Sequence, residues 1–190
     1  QKPTDALPFD VGFVAADGTI NISAPTTDAQ KAVFKDINKA AVYYLCQSYM
    51  YFFYQTKGLP LLFKIGFSAY EAGLDPTDTT IKEAINKYGG SFSSFDLLND
   101  PTTFVANNGW TVAYAFGEFM NVYKNCGYPQ VSSISSNAFD APSWWNNAGS
   151  IKGLLDVFNR YLYARFLEPD ENLRVKLIQE TENFRIYSRQ

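Results

Sequence analysis

The stretch Ala40–Tyr54 constrains this chain more than any other. It is apolar or aromatic almost throughout, interrupted by Gln47 and Ser48. A helix without a polar face offers nothing to water and must be covered on all sides. A bilayer is one such cover, but Tyr, Gln, Lys and Ser break every apolar run before it reaches spanning length. The stretch therefore predicts a central, buried helix. Val33, Phe34, Ile37, Ala41, Tyr44, Leu45 and Phe52 keep helical spacing. They extend that helix back to a cap at Thr27 or Asp28 and forward to Gly58.

The flanks supply what packs against it. Phe9–Ala15 and Thr19–Ala24 flank Asp17-Gly18, a type I′ hairpin signal. Thr19, Asn21 and Ser23 alternate with Ile20, Ile22 and Ala24, the period of a half-buried strand. Pro60 opens a helix that runs to about Ala72, with Gly73 behind it. Further helices are expected over 79–88, opened by Asp78 and closed by Gly89-Gly90; over 108–125, closed by Gly127 and Pro129; and over 151–167, capped by Ser150 and stopped by Pro169. Residues 91–100 read as a loop with room for one helical turn, and a polar stretch over 130–149 contains Trp144-Trp145. Near the end, Leu173, Val175 and Leu177 alternate with Arg174 and Lys176, and Phe184, Ile186 and Ser188 alternate with Arg185 and Tyr187. That predicts a second hairpin, turning around Glu180–Asn183. The fold class is α+β: a small N-terminal β-hairpin on a buried central helix, a mostly helical remainder and a C-terminal β-hairpin. One domain spans 1–190, with a body over about 10–167 and the hairpin extension over 170–190.

The chain of 190 residues contains no histidine. That excludes Ser-His-Asp and Cys-His catalysis and any imidazole metal ligand. It also leaves no side chain with an unperturbed pKa near neutrality. A net charge of −3 gives no electrostatic footprint for nucleic acid. The two cysteines, Cys46 and Cys126, are too few for a structural zinc site. The apolar setting of Cys46 favours a buried thiol over a disulfide. No calcium-loop, Walker or dinucleotide glycine motif occurs. Glu71 beside Tyr70 has the composition of an acid/base pair, although near a helix end a solvated Glu is the plainer reading. Glu118 lies among Phe116, Phe119 and Met120. Asn107-Asn108-Gly109 and Trp144-Trp145-Asn146-Asn147 mix amides with aromatics, a composition that can stack on a sugar or grip a peptide.

In their order the segments resemble the gluzincin-type, peptidase MA-like zinc metallopeptidases. In that family an edge strand precedes a buried helix bearing HExxH. A second helix with a Leu-Pro-like opening carries the third ligand, and a later helix has the form Tyr-x-x-Ala-x-x-Phe. The edge strand resembles Gly18–Pro25. The second helix resembles Leu59–Gly73, with Gly66, Ala69, Tyr70 and Glu71 where the family pattern has them. The later helix resembles Trp110–Phe116, with Ala113 and Phe116 in place.

The family's chemistry is missing from this chain. HExxH falls on Tyr43-Tyr44-Leu45-Cys46-Gln47, and a register one residue later rescues nothing. The two His ligands become Tyr43 and Gln47, the general base becomes Tyr44, the third ligand becomes Ile65, and the Tyr that steadies the tetrahedral intermediate becomes Trp110. Loss of the ion strands a buried carboxylate without its counter-charge, so these positions change together and fill with apolar volume. The resemblance thus implies a catalytically inactive, zincin-like pseudo-peptidase without metal or cofactor. It would act as a peptide, protein or glycan binding module in an exported or cell-envelope setting. Thr19–Ser23 would pair with an extended peptide. The groove floor would come from Tyr43, Tyr44, Gln47, Phe63, Trp110 and Tyr114, with Glu71, Trp144 and Trp145 as further contacts. The alternatives are a metal-free carboxylate hydrolase using Glu71 and Glu118, and a structural assembly module docking through Trp144-Trp145 and the terminal hairpin.

Overall fold

A computed structural model describes residues 6–54, 61–93, 100–124, 148–177 and 179. Two short strands, β1 (Gly12–Val14) and β2 (Ile20–Ile22), form an antiparallel hairpin with Phe13 opposite Asn21. The turn is not type I′, which would need positive φ at both Asp17 and Gly18. Only Gly18 is left-handed, at φ 87°. The Gly18 N–H donates to the Ala15 carbonyl and the Ala15 N–H to the Thr19 carbonyl, each at 2.9 Å. This is a three-residue loop that places glycine at its left-handed position.

The helices are α1 (Asp28–Val33), α2 (Ile37–Tyr54), α3 (Leu61–Glu71), α4 (Asp78–Lys87), α5 (Pro101–Ala106), α6 (Gly109–Lys124) and α7 (Ala148–Leu162). A π-helical turn over Tyr163–Leu167 continues α7. The chain is therefore mostly helical with one small sheet, broadly α+β. Thr27 caps α1 with a full capping box to Gln30. The single long helix expected from Thr27 is two helices. Phe34 leaves the helix with ψ 91°, and the Asp36 carboxylate accepts the Asn38 N–H at 2.8 Å, restarting the chain as α2. The break turns Phe34 inward against Tyr43, with ring centroids 5.2 Å apart in an edge-to-face arrangement.

The most enclosed packing lies elsewhere than expected. α2 is not covered on all sides: Val42, Leu45 and Tyr49 share an exposed stripe, with Leu45 59% exposed. The central contact is α3 against α6. A Cβ on Gly66 would stand 2.4 Å from the Ala113 carbonyl oxygen, and one on Gly117 would stand 2.3 Å from the Gly66 carbonyl oxygen. Only glycine at both positions lets these backbones touch. Around that crossing Phe63, Phe116, Phe119 and Phe158 are fully buried, with Phe63 and Phe116 rings 4.6 Å apart.

Residues 171–177 are helical, which corrects the strand expected over Leu173, Val175 and Leu177. Asp170 starts this segment, α8, by accepting the N–H groups of Asn172 at 2.9 Å and Leu173 at 3.0 Å. Leu173 and Val175 are exposed, so their alternation has no sheet to face. The expected second strand, over 184–188, lies outside the described residues.

Candidate functional site

The site grows from the free edge of the hairpin. The Ser23 N–H donates to the Val11 carbonyl at 2.8 Å, and Val11, Phe13 and Ala15 turn their backbone groups toward β2. In an antiparallel ladder the alternate residues point the other way. Gly12 and Val14 therefore present theirs on the outer edge of β1. The Gly12 N–H is held there by the Tyr44 hydroxyl at 3.0 Å. Among the described residues, no bond occupies the corresponding groups of Val14.

Tyr44 ties α2 to this edge. Its hydroxyl also accepts the Val11 N–H at 3.1 Å and donates to Asp10 Oδ1 at 3.0 Å. Asp10 Oδ2 accepts the Leu7 N–H at 2.7 Å, and the Gln30 amide donates to the Asp10 carbonyl at 2.9 Å. One residue thus fixes the start of the hairpin to α1 and α2. Burial first, then the charge of Asp10, hold the Tyr44 phenol well above its ordinary pKa. Burial does the same to Tyr43, with the Gln47 amide against its hydroxyl in partial opposition. Both are neutral phenols at neutral pH; they can donate and accept hydrogen bonds but cannot serve as bases.

Residues 12–16, with Asp10, Tyr44, Gln47 and Lys64, line a cleft of about 350 Å³. A second cavity of about 100 Å³ is lined by Tyr43, Gln47 and Ile65, and shares Asp10, Gln47 and Lys64 with the cleft. Three of the positions read as lost ligands and base neighbours therefore converge on one cavity, and Tyr44 lines the cleft beside it. A phenol, an amide and an alkyl group do not make a zinc donor set, which needs imidazole, thiolate or carboxylate. Among the described residues no group of three His, Cys, Asp or Glu side chains gathers to hold a metal ion.

Other expected site residues lie apart. Trp110 is buried in the first turn of α6 and does not line the cleft. Phe63 is fully buried against Phe116, which takes it out of the groove floor. The Tyr114 hydroxyl donates to Asp75 at 2.7 Å, on the loop between α3 and α4. Glu71 is exposed at the end of α3, and its charge is felt by Cys46 on α2. Glu118 accepts from the Tyr161 hydroxyl at 2.8 Å, on α7. The two glutamates lie on different helices, and neither lines the cleft or the cavity beside it. Cys46 is a free, half-buried thiol, pushed up to about 11 by burial and then by Glu71. Trp144, Trp145 and Cys126 lie outside the described residues.

Two residues of the site were not singled out from the sequence. Asp10 is a lone carboxylate between Phe9 and Val11, and Lys64 is a lone cation in Leu61–Phe67. A single charge inside an apolar run is the signal that marks both. The edge that lines this cleft is β1; Asn21, Ile22 and Ser23, within the Thr19–Ser23 segment expected to pair with a peptide, line a separate cavity of about 270 Å³.

Comparison with protein-family models, with curated proteins and with solved structures finds no match for this chain.

Proposed function

We propose that this chain is a non-catalytic binding module, an inactive relative of the zinc metallopeptidases, and that it takes an extended peptide along the outer edge of β1. The observation that carries the reading is the cleft itself. One wall is a strand edge with open backbone groups at Val14, and the other is formed by Tyr44 and Gln47 of α2 and Lys64 of α3, next to the smaller cavity where Tyr43, Gln47 and Ile65 meet. Strand addition needs such an edge: main-chain bonds supply affinity and flanking pockets read alternate side chains. Tyr43, Gln47 and Ile65, at the positions of the lost ligands, offer no metal donor set, which supports binding over metal-dependent cleavage.

The test uses a capped nonapeptide of alternating Thr and Val, titrated into the isotopically labelled protein. Amide shifts should concentrate at residues 12–16, and the Val14 amide should exchange more slowly with peptide bound. The same peptide, incubated with protein and zinc, should stay intact. Shifts confined to Ile20 and Ile22, or chelator-sensitive cleavage, would overturn the reading.

A further inference from the structure

We infer that the peptide taken by this cleft carries a carboxylate, and that Lys64 is the group that holds it. The inference rests on the binding reading above and names the chemistry its ligand must have.

Lys64 sits in α3 between Phe63 and Ile65, in a helix otherwise given to the core. It is half-buried and lines both the cleft and the adjoining cavity, at the junction of the two. Among the described residues no carboxylate lies within ion-pair distance of its ammonium. The nearby Asp10 is committed: its oxygens accept the Leu7 N–H and the Tyr44 hydroxyl. A partly desolvated cation at the junction of two cavities favours an anion over a neutral group. Gln47 lines the same junction and can donate a second hydrogen bond through its amide. The adjoining cavity, about 100 Å³, has room for a carboxylate and not for a large side chain. A strand bonded to the β1 edge would send alternate side chains, or its C-terminus, toward this junction.

Three capped or free nonapeptides of the same Thr-Val pattern separate the possibilities: one neutral and amidated, one amidated with a central Asp, one neutral with a free C-terminus. At least one carboxylate peptide should bind about tenfold or more tightly than the neutral one, as expected for a charge-assisted bond. Which of the two gains identifies a side-chain or a terminal carboxylate. Lys64→Met should abolish the preference, so that the carboxylate and neutral peptides bind alike. Lys64→Arg should keep the preference and checks that the fold tolerates change at this position. Equal affinities for all three peptides, or a uniform loss in Lys64→Met, overturn the carboxylate inference and leave edge binding standing. Absence of binding by every peptide overturns both.

Discussion

Tyr44 is the side chain on which the cleft's geometry depends. Its hydroxyl serves two backbone donors and one carboxylate, all from the segment that precedes and begins β1. Tyr44→Phe keeps the ring and its burial but leaves those three groups a partner short. An unsatisfied buried group costs about 1–3 kcal/mol. The variant should therefore lose about 2–3 kcal/mol in urea denaturation, and a loss under about 0.5 kcal/mol would show that water replaces the phenol freely. The same phenols set the alkaline limit of the fold. Burial raises Tyr43 and Tyr44 above their ordinary value near 10, and raises Cys46 to about 11. The unfolded chain thus releases these protons first as pH climbs. Their contribution to stability is complete below the unfolded values, near 9 for the thiol and 10 for the phenols, and is lost as pH rises through the folded ones. Denaturation midpoints should be level from pH 7 to 8.5 and fall steadily above pH 9; a flat profile to pH 11 would contradict the burial of these groups. At this scale the resemblance pointed to Tyr43, Tyr44, Gln47 and Ile65, side chains that line the cleft or the cavity beside it. The sequence hid Asp10 and Lys64, because a solitary charge has no period and acquires meaning only from the neighbours the fold brings to it.

Local capping chemistry was legible among the elements, and their packing order was not. Thr27, Gly73 and the Asp78 to Gly89 helix all stand within a residue or so of expectation, because caps are set by the backbone groups next to them. The helix α5 was not expected from the sequence, although Asp100 caps it and Pro101 stands in its first turn. The apolarity of α2, by contrast, suggested a centre that belongs to α3. What decides the centre is how closely a helix can be approached, and α3 offers Gly66, Ser68 and Ala69 where α2 offers tyrosines. Two substitutions separate these properties. Gly117→Ala puts a methyl 2.3 Å from the Gly66 carbonyl oxygen and 2.7 Å from the Tyr70 Cβ, so the helices must part. It should cost about 3 kcal/mol, the upper end for overpacking. Leu45→Glu, in the heart of the most apolar stretch, should change stability by under about 0.5 kcal/mol, because that side chain already faces water. Chemical denaturation of both variants checks the pair. The reverse ranking would restore α2 to the centre.

Across the whole molecule, the cleft belongs to the part least able to stand alone. Strands of three residues make a hairpin that is marginal in isolation. This one is held by the burial of Leu7, Phe9 and Val11 and by the single hydroxyl of Tyr44. The α3–α6 crossing is held by backbone contact and a shell of buried phenylalanines. Regions that open locally have few such contacts, and binding edges are drawn from them because an edge must rearrange to admit a strand. Native-state hydrogen exchange should then show two levels. The Phe13 and Asn21 amides, opposite each other in the ladder, should exchange at least about a hundredfold faster than amides within Ile65–Ala69. Tyr44→Phe should widen that gap by releasing the hairpin first. Bound peptide should narrow it, since a third strand adds ladder bonds to β1 while leaving the helical pair as it was. Equal protection in hairpin and helices would make the molecule one cooperative unit, and the β1 edge would then be a fixed rim instead of a place where another strand enters.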